Sequence, residues 1–129
     1  MSNLNQIYRC ELCGKMSELI HDGAGELICC GQAMALQKTK IKEDGLEKHL
    51  PVLEEGEDNL FTIRVGEVKH PMEDNHYIEW IEIITEDGKV LKKYLNSGEI
   101  PATAFKCASK IKEVRAYCNV HGLWSLNIE

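Results

Sequence analysis

The chain has 129 residues, 43% apolar and 28% charged, with a net charge of −6, which bounds it to one ordinary soluble domain or two small ones. No basic run is present to neutralise phosphates, which argues against a general nucleic-acid binder, and no apolar run approaches the roughly 18 residues needed to cross a bilayer. The opening residues MSNLNQIYRC lack the basic-then-apolar pattern of a secretion signal, so a cytoplasmic location without membrane attachment is expected. In that compartment clustered cysteines are more often metal ligands than disulfides.

In chain order, the first 36 residues read as short strands joined by tight turns: QIYRC, the knuckle CELCG, MSELI, the turn HDGAG, then ELICCGQAMAL. So short a segment cannot bury enough apolar surface to fold unaided and needs a staple. The following QKTKIKEDGLEKH reads as a linker with at most one helical turn. From Pro51 onward the pattern is β. In LFTIRVGE, Phe61, Ile63 and Val65 fall on one face, and Thr62 and Arg64 on the other. YIEWIEIITEDGKVLKKYL carries Asp87-Gly88 between two strand-like runs, a hairpin signal. Its apolar phase slips between Trp80 and Ile81, which predicts a bulge or burial on both faces. TAFKCAS, KIKEVRAYC and GLWSLNIE bring the count to about seven strands, as in an immunoglobulin-like β-sandwich.

Four of the six cysteines crowd into the first 30 residues. Cys10 and Cys13 form a C-x-x-C knuckle, and Cys29-Cys30 is a vicinal pair, poorly shaped for a disulfide but usable by a tetrahedral ion. Four thiolates make a closed site suited to structural zinc or to one-electron iron. A second constellation comprises His49, the two histidines of KHPMEDNH (His70 and His76), and CNVH, which supplies Cys118 and His121. Four imidazoles and one thiolate exceed the four ligands zinc usually takes. They suit iron with a sixth position left for a small molecule, and a thiolate opposite that position pushes electron density towards it. A blue-copper site would use only two of these histidines and an axial methionine, and no methionine follows His121. His21 reads as a solvated turn residue and Cys107 as a buried core thiol.

These residues resemble the desulfoferrodoxin family, the two-iron superoxide reductases, over essentially the whole chain. The motifs that carry the resemblance are Glu47-Lys48-His49, His70-Pro71-Met72 followed by His76, and Cys118-Asn119-Val120-His121-Gly122, beside Cys10, Cys13, Cys29 and Cys30. The resemblance implies a mainly β protein. A desulforedoxin-like iron-tetrathiolate domain would span residues 1–37, and a β-sandwich with a mononuclear iron site of four histidines and one cysteine would span 38–129. His49, His70, His76 and His121 would be equatorial ligands and Cys118 the axial one. Zinc is the alternative occupant of the tetrathiolate site in expressed material. The implied reaction is one-electron reduction of superoxide to hydrogen peroxide without release of dioxygen, a detoxification suited to an anaerobe. Electrons would come from rubredoxin or a similar donor. Glu47 would close the open position in the resting state, and Lys48 would draw in the anion. Pro71 would stiffen its turn so that His70 and His76 reach one iron from opposite sides. A homodimer is expected, because the N-terminal module buries so little alone. An electron carrier with no open coordination position and a colourless zinc-stapled binding module are the competing classes.

Overall fold

The computed structural model describes residues 4–40, 49–66 and 69–128. The chain divides into two compact units, Met1–Lys38 and Thr39–Glu129, and among the described residues every named element is a β-strand. The linker's proposed helical turn falls largely outside the described residues, as do Glu47 and Lys48.

In the first unit a central strand β1 (Ile7–Arg9) pairs antiparallel with β2 (Met16–Glu18) on one side and with β5 (Ala35–Gln37) on the other. A separate ribbon joins β3 (Ile28–Cys29) to β4 (Gln32–Ala33). Ile7 and Cys10 are buried, whereas Leu12, Ile20 and Ile28 face solvent. A core this small offsets little of the conformational entropy of folding, consistent with the staple inferred from chain length.

The second unit is a two-layer sandwich. One sheet has the order β10 (Ala102–Lys106), β7 (Leu60–Val65), β6 (Pro51–Glu55). The other runs β12 (Gly122–Asn127), β11 (Ile111–Cys118), β8 (Ile78–Thr85), β9 (Val90–Tyr94). All neighbouring strands are antiparallel, and the seven strands form the immunoglobulin-like architecture expected from their spacing. The alternation read in LFTIRVGE places Ile63 and Val65 in the core between the layers, with Ile81, Ile83, Val114 and Ala116.

Asp87-Gly88 forms the β8–β9 turn, with Gly88 at φ 89° and the Thr85 amide donating to the Lys89 carbonyl at 2.9 Å. The phase slip in β8 has both of the predicted causes. The β11 register passes from Tyr117↔Trp80 to Cys118↔Ile78, so the bulge falls at Glu79, one residue earlier than the apolar pattern suggested. Beyond it, Trp80, Ile81, Glu82, Ile83 and Ile84 are all buried, so both faces of the strand are covered.

Candidate metal centres

The first cluster is built by two knuckles. In the first, the Cys10 amide donates to the Lys15 carbonyl at 2.8 Å and the Gly14 amide to the Cys10 carbonyl at 2.9 Å. Gly14 turns the chain at φ 82°. The Cys13 amide then points at Cys10 Sγ (3.4 Å) and the Lys15 amide at Cys13 Sγ (3.5 Å). Such N–H groups stabilise thiolate. In the second knuckle Cys30 takes φ 54°, and Gly31 follows at 76°. That left-handed pair lets the vicinal cysteines present both sulfurs to one point.

All four sulfurs lie within 4.8 Å of one another. Cys13 Sγ and Cys29 Sγ are 3.6 Å apart, and Cys29 Sγ and Cys30 Sγ 3.9 Å. A disulfide needs about 2.05 Å. A metal–sulfur bond of about 2.3 Å puts tetrahedral sulfurs ~3.8 Å apart, so the spacing fits a shared ion. The Cys13 amide holds the Cys10 thiol at a pKa of about 6. Hydrogen bonding with the Cys13 and Cys10 sulfurs pushes Cys29 up to about 12, and the same neighbours raise Cys30. Four thiolates this close repel one another, and a cation is what would let all four ionise together.

The second cluster sits at one end of the sandwich, where β6 and β8 begin and β7 and β11 end. His49 lies just before β6, His70 and His76 on the connection from β7 to β8, Cys118 at the end of β11, and His121 on the β11–β12 turn. The connection is held tightly. The Glu73 amide donates to the His76 carbonyl at 2.9 Å and the His76 amide to the Glu73 carbonyl at 3.1 Å. Asn119 ties this connection to the β11–β12 turn: its Oδ1 accepts from the Tyr77 amide at 3.0 Å, and its Nδ2 donates to the Asn75 carbonyl at 3.3 Å. Gly122 completes the turn at φ 88°.

The four imidazoles close a square. Ring centroids are 4.7 Å apart for His49–His70, 4.9 Å for His70–His76, 5.0 Å for His76–His121 and 4.6 Å for His121–His49, each pair edge to face. Ligand atoms of His49, His70, His76 and Cys118 all lie within 4.8 Å of one another. His121 Nδ1 joins them 3.0 Å from His49 Nε2 and 3.7 Å from Cys118 Sγ. His70 and His76 are therefore neighbours at adjacent corners, not partners across the site as expected. The Glu73–His76 bridge folds the chain back between the two residues.

The donor set is prepared for a cation. His70 Nδ1 is 2.7 Å from the Pro71 carbonyl, which fixes the N–H there and turns the Nε2 lone pair inward. The Nε2 atoms of His70 and His76 are buried without a hydrogen-bond partner, an arrangement a metal would satisfy. Burial holds His70 at a pKa of about 4 and lowers His121, so both rings are neutral, as ligands must be. Burial also raises the Cys118 thiol, against the pull of the His121 and Val120 amides. Cys118, His49 and His70 are buried, while His121 is exposed, so the cluster reaches the surface at that corner.

Every candidate ligand named from the sequence thus falls in one of the two clusters. His21 is exposed outside them, and Cys107 packs in the core with its thiol 3.5 Å from the Ser109 carbonyl. Two supporting residues escape sequence reasoning. Trp124 stacks on His49 at 4.8 Å and 14°, and Lys40 lies 5.9 Å from the Trp124 ring. Neither has a local signal, because one alternates within a strand and the other sits in a lysine-rich linker.

The desulfoferrodoxin family model matches residues 41–127, and the model described as desulfoferrodoxin, N-terminal domain, matches residues 2–37. A desulfoferrodoxin homolog of Archaeoglobus fulgidus is 48% identical over 96% of this chain and 98% of its own length. A superoxide reductase of Pyrococcus abyssi is 36% identical over 64% of this chain and 87% of its own. The crystal structure of the superoxide reductase from Treponema pallidum superposes with a TM-score of 0.79 at 25% identity, covering 95% of this chain and 97% of that one. Sequence likeness over the full length, the sandwich and the two ligand clusters lead to one conclusion: the chain belongs to the desulfoferrodoxin family.

Proposed function

We propose that this protein is a cytoplasmic superoxide reductase with one iron held by Cys10, Cys13, Cys29 and Cys30 and a second held by His49, His70, His76, His121 and Cys118. The closed square of imidazoles, with one buried thiol in reach, carries this reading. Iron in the second site supplies the single electron that converts superoxide to hydrogen peroxide. The chain supplies the rest. Its neutral rings and one thiolate leave a doubly charged cation with net positive charge facing an anionic substrate. The exposed edge at His121 admits a diatomic molecule. The family resemblance would give Lys48 the role of drawing the anion inward through an otherwise acidic field, and Glu47 that of closing the open position between turnovers. A rubredoxin-like donor returns the electron. Leu12, Ile20 and Ile28, exposed on a unit with so small a core, support pairing of two chains.

Stopped-flow mixing of the pre-reduced, iron-loaded protein with superoxide tests the activity. One peroxide should form per superoxide, with no dioxygen. Dioxygen release, or no reaction from a fully loaded site, would overturn it. Lys48→Ala should lower the second-order rate several-fold and flatten its dependence on salt, since steering of this kind is screened over ~8 Å at physiological ionic strength. Azide binding to the second centre separates an open site from that of a pure electron carrier.

A further inference from the structure

We propose that Lys40 is a positioning residue of the second centre: its ammonium, held against Trp124 and the β11–β12 turn, raises the electron affinity of the thiolate-ligated metal. This rests on the reading that a redox-active metal occupies the site of four histidines and Cys118.

Lys40 is anchored independently of that site. Its amide donates to the Leu123 carbonyl at 2.8 Å, and its carbonyl accepts from the Ser125 amide at 3.1 Å. These bonds bracket Trp124, and the residue lies alongside β12 as an isolated parallel bridge. The half-buried side chain then runs back over the turn. Its Nζ is 5.9 Å from the Trp124 ring centroid, and Trp124 in turn stacks on His49. A Cβ added to Gly122 would lie 3.8 Å from Lys40 Cε and 3.9 Å from Nζ. The ammonium therefore stands over the residue that follows His121 and pairs with Cys118.

A cation fixed there acts on two ligands at once. Its positive field falls on both Cys118 and His121, the residues flanking that turn, while Glu79, the bulge residue next to the Ile78 that pairs with Cys118, brings a charge of opposite sign. The same field disfavours extra positive charge on the metal. It should therefore stabilise the reduced state and temper the electron donation of the thiolate. Through partly hydrated protein this is expected to change the oxidised/reduced equilibrium about three- to tenfold, or ~30 to 60 mV for a one-electron couple.

Redox titration of the iron-loaded full chain reads this directly, with the tetrathiolate centre of the same molecule as an internal reference. Lys40→Met should lower the midpoint potential of the second centre by that amount. Lys40→Arg should restore it, and Glu79→Gln should shift it upward. The first centre should stay put in all three. An unmoved potential in Lys40→Met, or a Lys40→Arg shift as large as that of Lys40→Met, would overturn the role of the charge and leave the functional reading standing. A second site that takes up no redox-active metal would overturn both.

Discussion

His70 shows how a single residue joins stability to metal readiness. Its ring is 1% exposed, donates through Nδ1 to the Pro71 carbonyl, and keeps Nε2 bare. Burial lowers its pKa from 6.5 to about 4. In metal-free protein the unfolded chain then binds a proton that the folded chain refuses, so stability falls as pH drops below the unfolded value of 6.5 and levels off near the folded value of about 4. The loss across that window is expected to be up to roughly 3 kcal/mol. Urea unfolding of the apo-protein at a series of pH values, followed by tryptophan fluorescence, measures it. His70→Gln should flatten the pH slope. Every candidate ligand could be found in the sequence at this scale, because ligand chemistry depends on residue type and short spacing. The bare lone pair could not, because it depends on what surrounds the ring.

At the scale of the strand, the outer face of β8 carries a buried ionic network. Arg115 on β11 grips Glu82, with its Nε 2.9 Å from Oε1, and Lys92 on β9 approaches Oε2 at 3.1 Å. Lys92 also lies 4.6 Å from the Trp80 ring centroid, and Trp80 stacks on Tyr117. Glu82 is 0% exposed and Arg115 4%. Removing one partner strands a buried charge, whereas removing both leaves an apolar strip. Arg115→Met should therefore destabilise the sandwich by roughly 3 kcal/mol, and Glu82→Leu in the same chain should recover more than half of the loss. Trp80 and Trp124, the only two tryptophans in the sequence, both lie in this unit, so fluorescence-detected unfolding reports on it. The apolar pattern of β8 predicted a bulge or burial on both faces, and the strand has both. The pattern placed the bulge one residue late, because Glu79 resembles any outward residue until the register with β11 is known.

For the whole molecule, each ligand set falls within one of the two compact units. Cys13→Ser should therefore abolish the visible spectrum of the tetrathiolate centre. The metal content and unfolding midpoint of the sandwich should change little, and so should superoxide reduction by the pre-reduced protein. Metal analysis, urea unfolding and stopped-flow measurement check the three. Loss of the second centre from a folded variant would show the sites to be interdependent.

The sequence by itself determined the β class, the two candidate ligand sets, the hairpin at Asp87-Gly88 and the family resemblance. These follow from residue type, alternation and spacings of a few residues, all of which are local. Only the tertiary structure decided the order of the imidazoles around their square, with His70 beside His76. It also decided the exposure of His121 and the convergence of Lys40 and Trp124 on the Cys118 turn. Those features join positions as far apart as Lys40 and Trp124, and the pairing of strands alone determines which distant side chains share one end of a sandwich.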